Sequence, residues 1–180
     1  IKNLPIGSVR LSLKGERTRM QKKTISDENG SFEFTGLEPD SYKLMVKKKG
    51  YMKVQQTVDV EEGENNEVEI IMEYDVTGNW KGYFETNIIP HTDIYLKLRQ
   101  SNTKITGSMT GQGGITGEFK GTIDGNAIEF ELKTTVPFCP GKYSGTAILA
   151  DDSSEIELST MTGRDCFGEQ KDGYGFVTRQ

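Results

Sequence analysis

Apolar and polar side chains alternate with period two along most of this chain, and no stretch sustains a helical period. The alternation is cleanest in Ile94-Tyr95-Leu96-Lys97-Leu98-Arg99 and in Ile128-Glu129-Phe130-Glu131-Leu132-Lys133. Successive side chains of a strand point to opposite faces, so this pattern describes strands with one buried face and one wet face. Such strands pair most readily as antiparallel sheets. A hydrophobic content of 33% over 180 residues and a mean hydropathy of -0.58 fit small β domains of this kind. No apolar run has the length of a bilayer-spanning helix. The net charge is -5 and neither half is basic, which argues against a nucleic-acid partner. The chain opens at Ile1 without Met and without a charged-then-apolar leader, which reads as a mature form whose signal peptide has been removed.

Residues 1–74 read as a first domain. Alternation marks strands at Val9–Leu13, Ser31–Phe34, Tyr42–Val46, Val54–Val58 and Val68–Met72. Turn-forming runs bound them: Asp27-Glu28-Asn29-Gly30, Glu38-Pro39-Asp40 and Glu61–Asn66. The expectation is a small antiparallel β-sandwich. Asp27–Gly30 lacks the ligand number and closing Glu of an EF-hand, and reads as a tight turn. Lys47-Lys48-Lys49 reads as a solvated hairpin loop.

The run from Asp27 to Tyr42 resembles the carboxypeptidase regulatory-like domain, whose pattern is D-x-x-G-x-F-x-F-x-x-L-x-P-G-x-Y. Lys49-Gly50-Tyr51 ahead of a strand fits the same family. The resemblance spans roughly residues 7–73 and implies a transthyretin-like sandwich. It also implies an accessory module without chemistry, common in secreted and cell-surface proteins. Asp40 stands where the family carries Gly, and Asp tolerates the left-handed turn conformation that Gly would supply there.

Residues 75–180 read as a second domain of eight strands, an up-and-down antiparallel β-barrel. The strand runs are Asn79–Thr86, Thr92–Arg99, Lys104–Met109, Ile115–Ile123, Ala127–Lys133, Tyr143–Leu149, Glu155–Thr160 and Tyr174–Arg179. Expected inward residues include Trp80, Phe84, Ile94, Leu96, Leu98, Ile105, Met109, Phe119, Ile128, Phe130, Leu132, Ile156 and Leu158. Gly82, Gly107, Gly117 and Gly121 share that phase and relieve crowding where strands bend to close. The links after even strands are tight. Those after odd strands, Asn87–His91, Gly111–Gly114, Thr134–Lys142 and Gly163–Gly173, are longer. In a meander all odd links share one end, so the elaborate loops form a single mouth.

Cys139 and Cys166 both fall in mouth loops rather than on an apolar strand face. That placement predicts a disulfide across the mouth and an oxidising compartment: secreted, periplasmic or cell surface. A reduced pair is the alternative. No CxxC or Cys/His cluster suggests a metal, and no cofactor motif is present.

Gly78-Asn79-Trp80 opening an eight-strand barrel also resembles the lipocalin and avidin type of calycin barrel. That resemblance implies that Trp80 packs at the closed end against Arg179 of the last strand.

The chain has a single histidine, His91, so Ser-His-Asp or Cys-His catalysis would have to use it. No nucleophile elbow accompanies it, and no catalytic residue is assigned. The expected function is that of a non-enzymatic extracytoplasmic interaction or structural protein with an unidentified protein partner. The alternative is a barrel that binds a small apolar ligand at its mouth, through Ile89, His91, Phe138, Arg164 and Phe167. A carboxylate-based hydrolase is a lower alternative.

Overall fold

The computed structural model describes residues 5–135 and 139–180. Its contacts divide the chain into two units, residues 1–73 and 74–180. The first unit is built on an antiparallel sheet of β1 (Arg10–Gly15), β2 (Gln21–Ile25), β3 (Asp40–Lys47) and β4 (Val54–Val60), in the order β2-β1-β3-β4. The inward phase of β1 and β3 buries Leu11, Leu13, Tyr42, Leu44 and Val46. Onto this face pack Phe32, Phe34, Leu37, Val68, Ile70 and Met72, all half-buried. The runs 31–34 and 68–72 keep their alternation and supply the second layer, yet neither forms a ladder among the described residues.

The sheet's edge was hidden in the sequence. β2 reads Gln-Lys-Lys-Thr-Ile, with no apolar stripe; it pairs only with β1, its Lys22 donates to the Thr35 and Gly36 carbonyls, and its Lys23 is exposed. Lysine on an edge strand discourages pairing with other chains.

Asp40 corrects the sequence reading. It is the first residue of β3 and has no positive φ. Its buried carboxylate lies beneath the link between β1 and β2. It accepts hydrogen bonds from the Thr18 amide (2.8 Å), the Thr18 hydroxyl (2.8 Å) and the Arg17 amide (3.0 Å). A Cβ on Gly15 would stand 2.7 Å from the same carboxylate, so glycine there leaves it room. The Asp27–Gly30 turn forms as expected: the Asp27 carboxylate accepts from the Asn29 and Ser31 amides, and Gly30 has φ +77°.

The second unit contains β5 (Gly78–Glu85), β6 (Thr92–Ser101), β7 (Lys104–Gly111), β8 (Thr116–Asp124), β9 (Ala127–Thr135), β10 (Gly141–Leu149), β11 (Glu155–Asp165), β12 (Gly168–Gln170) and β13 (Tyr174–Arg179). Pairing runs β10-β9-β8-β7-β6-β5-β13-β11, and β10 also pairs with β11. Eight antiparallel strands therefore close on themselves. β12 lies outside the ring and pairs with the far end of β11. This short hairpin occupies what the sequence suggested was an irregular loop.

Every expected inward residue is buried or packs on the barrel core. Val76, Ile123, Tyr143, Leu149, Met161 and Val177 complete that core.

The Asp40 carboxyl is held well below the usual carboxylate range, first by the Thr18 amide. Burial opposes this, and the Thr18 hydroxyl and Arg17 add to it. A depressed folded-state value means the stabilisation is present above the unfolded value, near pH 4, and is lost as pH falls below it. Asp40→Asn is expected to lower the melting temperature at neutral pH and to flatten the loss between about pH 4 and pH 2. Circular-dichroism melts across that range check this. An unchanged acid profile in the variant would contradict it.

Candidate functional site

Strand order places the β5–β6, β7–β8, β9–β10 and β11–β13 connections at one end of the barrel. The tight hairpins and both chain ends of the unit lie at the other.

At the tight end, Trp80 is fully buried and donates from Nε1 to the Val76 carbonyl at 2.9 Å. The Arg179 guanidinium lies over its ring, 4.4 Å from the centroid. Its nitrogens donate to three backbone carbonyls: Nε to Ser153 (2.9 Å), Nη1 to Thr77 (2.8 Å) and Nη2 to Asp75 (2.6 Å). One planar cation thus ties the first strand, the last strand and the β10–β11 turn. Only a guanidinium has the fork of donors and the flat face to do both.

At the mouth, Cys139 and Cys166 form a disulfide with Cα atoms 5.2 Å apart. Beside it runs a chain of side-chain hydrogen bonds. The buried Tyr143 hydroxyl donates to Asp165 Oδ2 at 2.7 Å. Gln170, also buried, donates to Asp165 Oδ1 at 3.1 Å and accepts from the Thr86 hydroxyl at 2.5 Å. Thr86 Oγ1 in turn accepts from the Ile88 and Ile89 amides. Burial first, and then the Asp165 carboxylate, push the Tyr143 hydroxyl's pKa well above that of an ordinary tyrosine, so it remains a donor. Among the described residues no buried side-chain polar atom lacks a partner. Among the described residues the buried and half-buried polar groups of the mouth, Tyr143, Asp165, Gln170 and Thr86, bond to one another.

The expected mouth residues are dispersed. Ile89 packs against the barrel core. His91 is exposed; it stacks on Tyr83 with ring centroids 4.1 Å apart, and its Nε2 lies 3.3 Å from Asp93. Arg164 is exposed on β11, opposite Lys142 and Glu169. Phe167 is 70% exposed at the β11–β12 turn. Phe138 lies outside the described residues. None of the four described residues lines the cavity inside the barrel.

That interior holds a cavity of about 80 Å³, lined by side chains such as Leu96, Met109, Phe119, Phe130, Leu158 and Met161. The residues sequence reasoning missed are Tyr143, Thr86 and Gln170. Tyr143 carried a usable signal: an inward-phase tyrosine near a strand end needs a polar partner for its hydroxyl. Among the described residues no group of three His, Cys, Asp or Glu is placed to hold a metal ion. No described helix is long and apolar enough to cross a membrane.

Two outcomes test the ends of the barrel. Arg179→Ala removes the stacked cation and leaves three carbonyls without their donor, at a cost of about 2–3 kcal/mol and with altered Trp80 fluorescence. Arg179→Lys should recover only part of this, since one ammonium cannot reach all three carbonyls. Equilibrium denaturation with fluorescence detection checks both. For the disulfide, a separation of 27 residues corresponds to about 3.6 kcal/mol in the chain-entropy account. Denaturation midpoints with and without reductant should differ accordingly, and non-reduced, denatured protein should show no titratable thiol.

Comparison with known proteins agrees with the sequence resemblance of the first unit: residues 2–73 match the family model of the carboxypeptidase regulatory-like domain. No curated protein matches the chain. Among solved structures, three designed barrels are similar to 58% of the chain. They are a redesigned β-barrel, mFAP1, bound to DFHBI (15% identity, 94% of that chain, TM-score 0.44), a second redesigned barrel, b11L5F_LGL (15%, 91%, 0.47), and a de novo designed fluorescence-activating barrel (14%, 93%, 0.43).

Proposed function

We propose that this chain is a non-enzymatic extracytoplasmic interaction protein, in which a regulatory-like sandwich accompanies a barrel whose interior serves stability rather than ligand storage. The observation that carries this is the filled interior. Apolar residues from all eight strands, many of them large, line a space of about 80 Å³. Pockets for drug-sized ligands run from roughly 300 Å³ upward, and an engineered cavity that admits benzene has about 150 Å³. The mouth supports the same reading, because its buried and half-buried polar groups Asp165, Tyr143 and Gln170 are already bonded to each other.

The disulfide supports an oxidising location, which is where such bonds persist. The match of residues 2–73 supports an accessory rather than a chemical role for the first unit. Against a hydrolase, the one carboxylate central to the mouth, Asp165, already accepts from Tyr143, Gln170 and the Phe167 amide. Its oxygens are engaged in holding the loops, not in activating a nucleophile.

Native mass spectrometry of protein from its natural source, followed by analysis of small molecules released on denaturation, tests the proposal. The expected result is the mass of the polypeptide alone. A stoichiometric apolar compound would overturn it in favour of a small-ligand carrier.

A further inference from the structure

One stretch of the barrel's outer wall carries a cluster of aromatic rings. On the outward phase of β5 and β13, Tyr83 meets Phe176 edge-on, with ring centroids 5.0 Å apart, and meets Tyr174 at 6.2 Å. His91 lies flat on Tyr83. Tyr174 is 46% exposed, and Tyr95 on the neighbouring β6 is 51% exposed. The strand register surrounds these rings with acids. Asp93 pairs with Tyr83, Glu157 with Phe176, and Glu85 with Tyr174. Glu155 follows one row on, opposite Thr178. Asp93 and Glu157 are exposed. Lys81 sits over the Tyr95 ring, 5.5 Å from its centroid, and Lys97 and Arg99 follow Tyr95 on the outward phase of β6, so the wall's cations gather at its Tyr95 end and its carboxylates around Tyr83 and Tyr174.

Cross-strand packing explains why Tyr83 and Phe176 touch. It does not explain two half-bare tyrosines beside four carboxylates. Rings with exposed faces attract cations through their quadrupole, and neighbouring carboxylates add a Coulombic pull of the same sense. Lys81 on Tyr95 is an intramolecular instance of the contact. Tyrosine and arginine are also the residues that most often dominate interface energetics.

We propose that this wall, formed by β6, β5, β13 and β11, is a docking face for an extended polypeptide segment bearing arginine or lysine. The cationic side chains lie on Tyr174 and the His91–Tyr83 stack, and they pair with Asp93, Glu85 and Glu157. This rests on the reading that the protein acts by binding a macromolecule.

The test is a titration of the full-length, isotope-labelled chain with the peptide Gly-Arg-Gly-Arg-Gly-Arg-Gly, followed by amide NMR shifts. The same peptide with citrulline in place of arginine is the neutral control. The expected result is a set of shifts confined to β5, β6, β11 and β13 with the arginine peptide and none with the citrulline peptide. Affinity should fall about tenfold for Tyr174→Ala and for Glu157→Gln, and should weaken as salt rises from about 50 to about 500 mM. Melting curves of both variants should match the parent, since the two side chains lie on the outer surface. Equal binding of the citrulline peptide, shifts elsewhere, or no shifts at millimolar peptide would overturn the proposal. So would a neutral glucan hexasaccharide that shifts this wall while the arginine peptide does not. A bound apolar compound found by mass spectrometry would defeat the interaction-protein reading without moving these shifts, so the two failures are separable.

Discussion

Closure of the eight-strand ring is the constraint on which the second unit depends. The pairing of β10 with β11 removes the last free edges, and a ring this small forces backbones together where strands cross. Two glycines show the cost. A Cβ on Gly82 would lie 1.9 Å from the Phe176 carbonyl oxygen, and one on Gly145 would lie 2.0 Å from the Thr160 carbonyl oxygen. Neither approach admits a side chain. Gly145 sits beside the register shift at Thr146/Ala147, so a bulge and a glycine together turn the seam where the ring shuts. At Gly145 the Phe130 ring reaches to 3.0 Å from where a Cβ would stand.

A closed ring still has two open ends, and this chain seals them by different physics. At the tight end the hairpins are too short to fold inward, so one side chain does the work. Arg179 spans the gap between β5, β13 and the β10–β11 turn, using its planar face on Trp80 and its edge on three carbonyls. At the mouth the connections are long, and loop entropy rather than reach is the problem. There the disulfide shortens the loops, and the Tyr143–Asp165–Gln170–Thr86 chain joins β10, β11, β12 and the β5–β6 link. A fully satisfied buried network of this sort fixes loop positions because each broken member leaves another unpaired.

The barrel was legible because its signal is local. Ile94–Arg99 and Ile128–Lys133 state their faces residue by residue, and counting links was enough to place both cysteines at one end. Trp80 and Arg179 were legible through a family resemblance rather than through periodicity. The first unit was less so. Ser31–Phe34 and Val68–Met72 alternate as strands do and bury the expected side chains, yet no described ladder joins them, since alternation reports burial and not hydrogen bonding. β2 failed for the opposite reason: it is laddered but has no apolar face to report. The mouth residues were the least legible. Phe167 is exposed, whereas Tyr143 and Gln170, nearly silent in a hydropathy reading, are buried. A polar side chain becomes a core residue only through partners distant in sequence, and Tyr143 meets Asp165 across 22 positions.

The outer wall of the barrel carries a cluster of aromatic rings. Closure also permits that wall to be unusual. An open sheet with half-bare tyrosines on its outer face would expose unpaired edges next to an apolar patch, a combination that invites strand addition and aggregation. The ring has no such edge, so Tyr83, Tyr95, Tyr174 and Phe176 can face outward without offering a template for pairing. Their carboxylate neighbours keep the patch hydrated and repel a second copy of the same acidic face, while attracting a cation. Closure therefore lets the outer wall carry aromatic rings without an adjoining pairing edge.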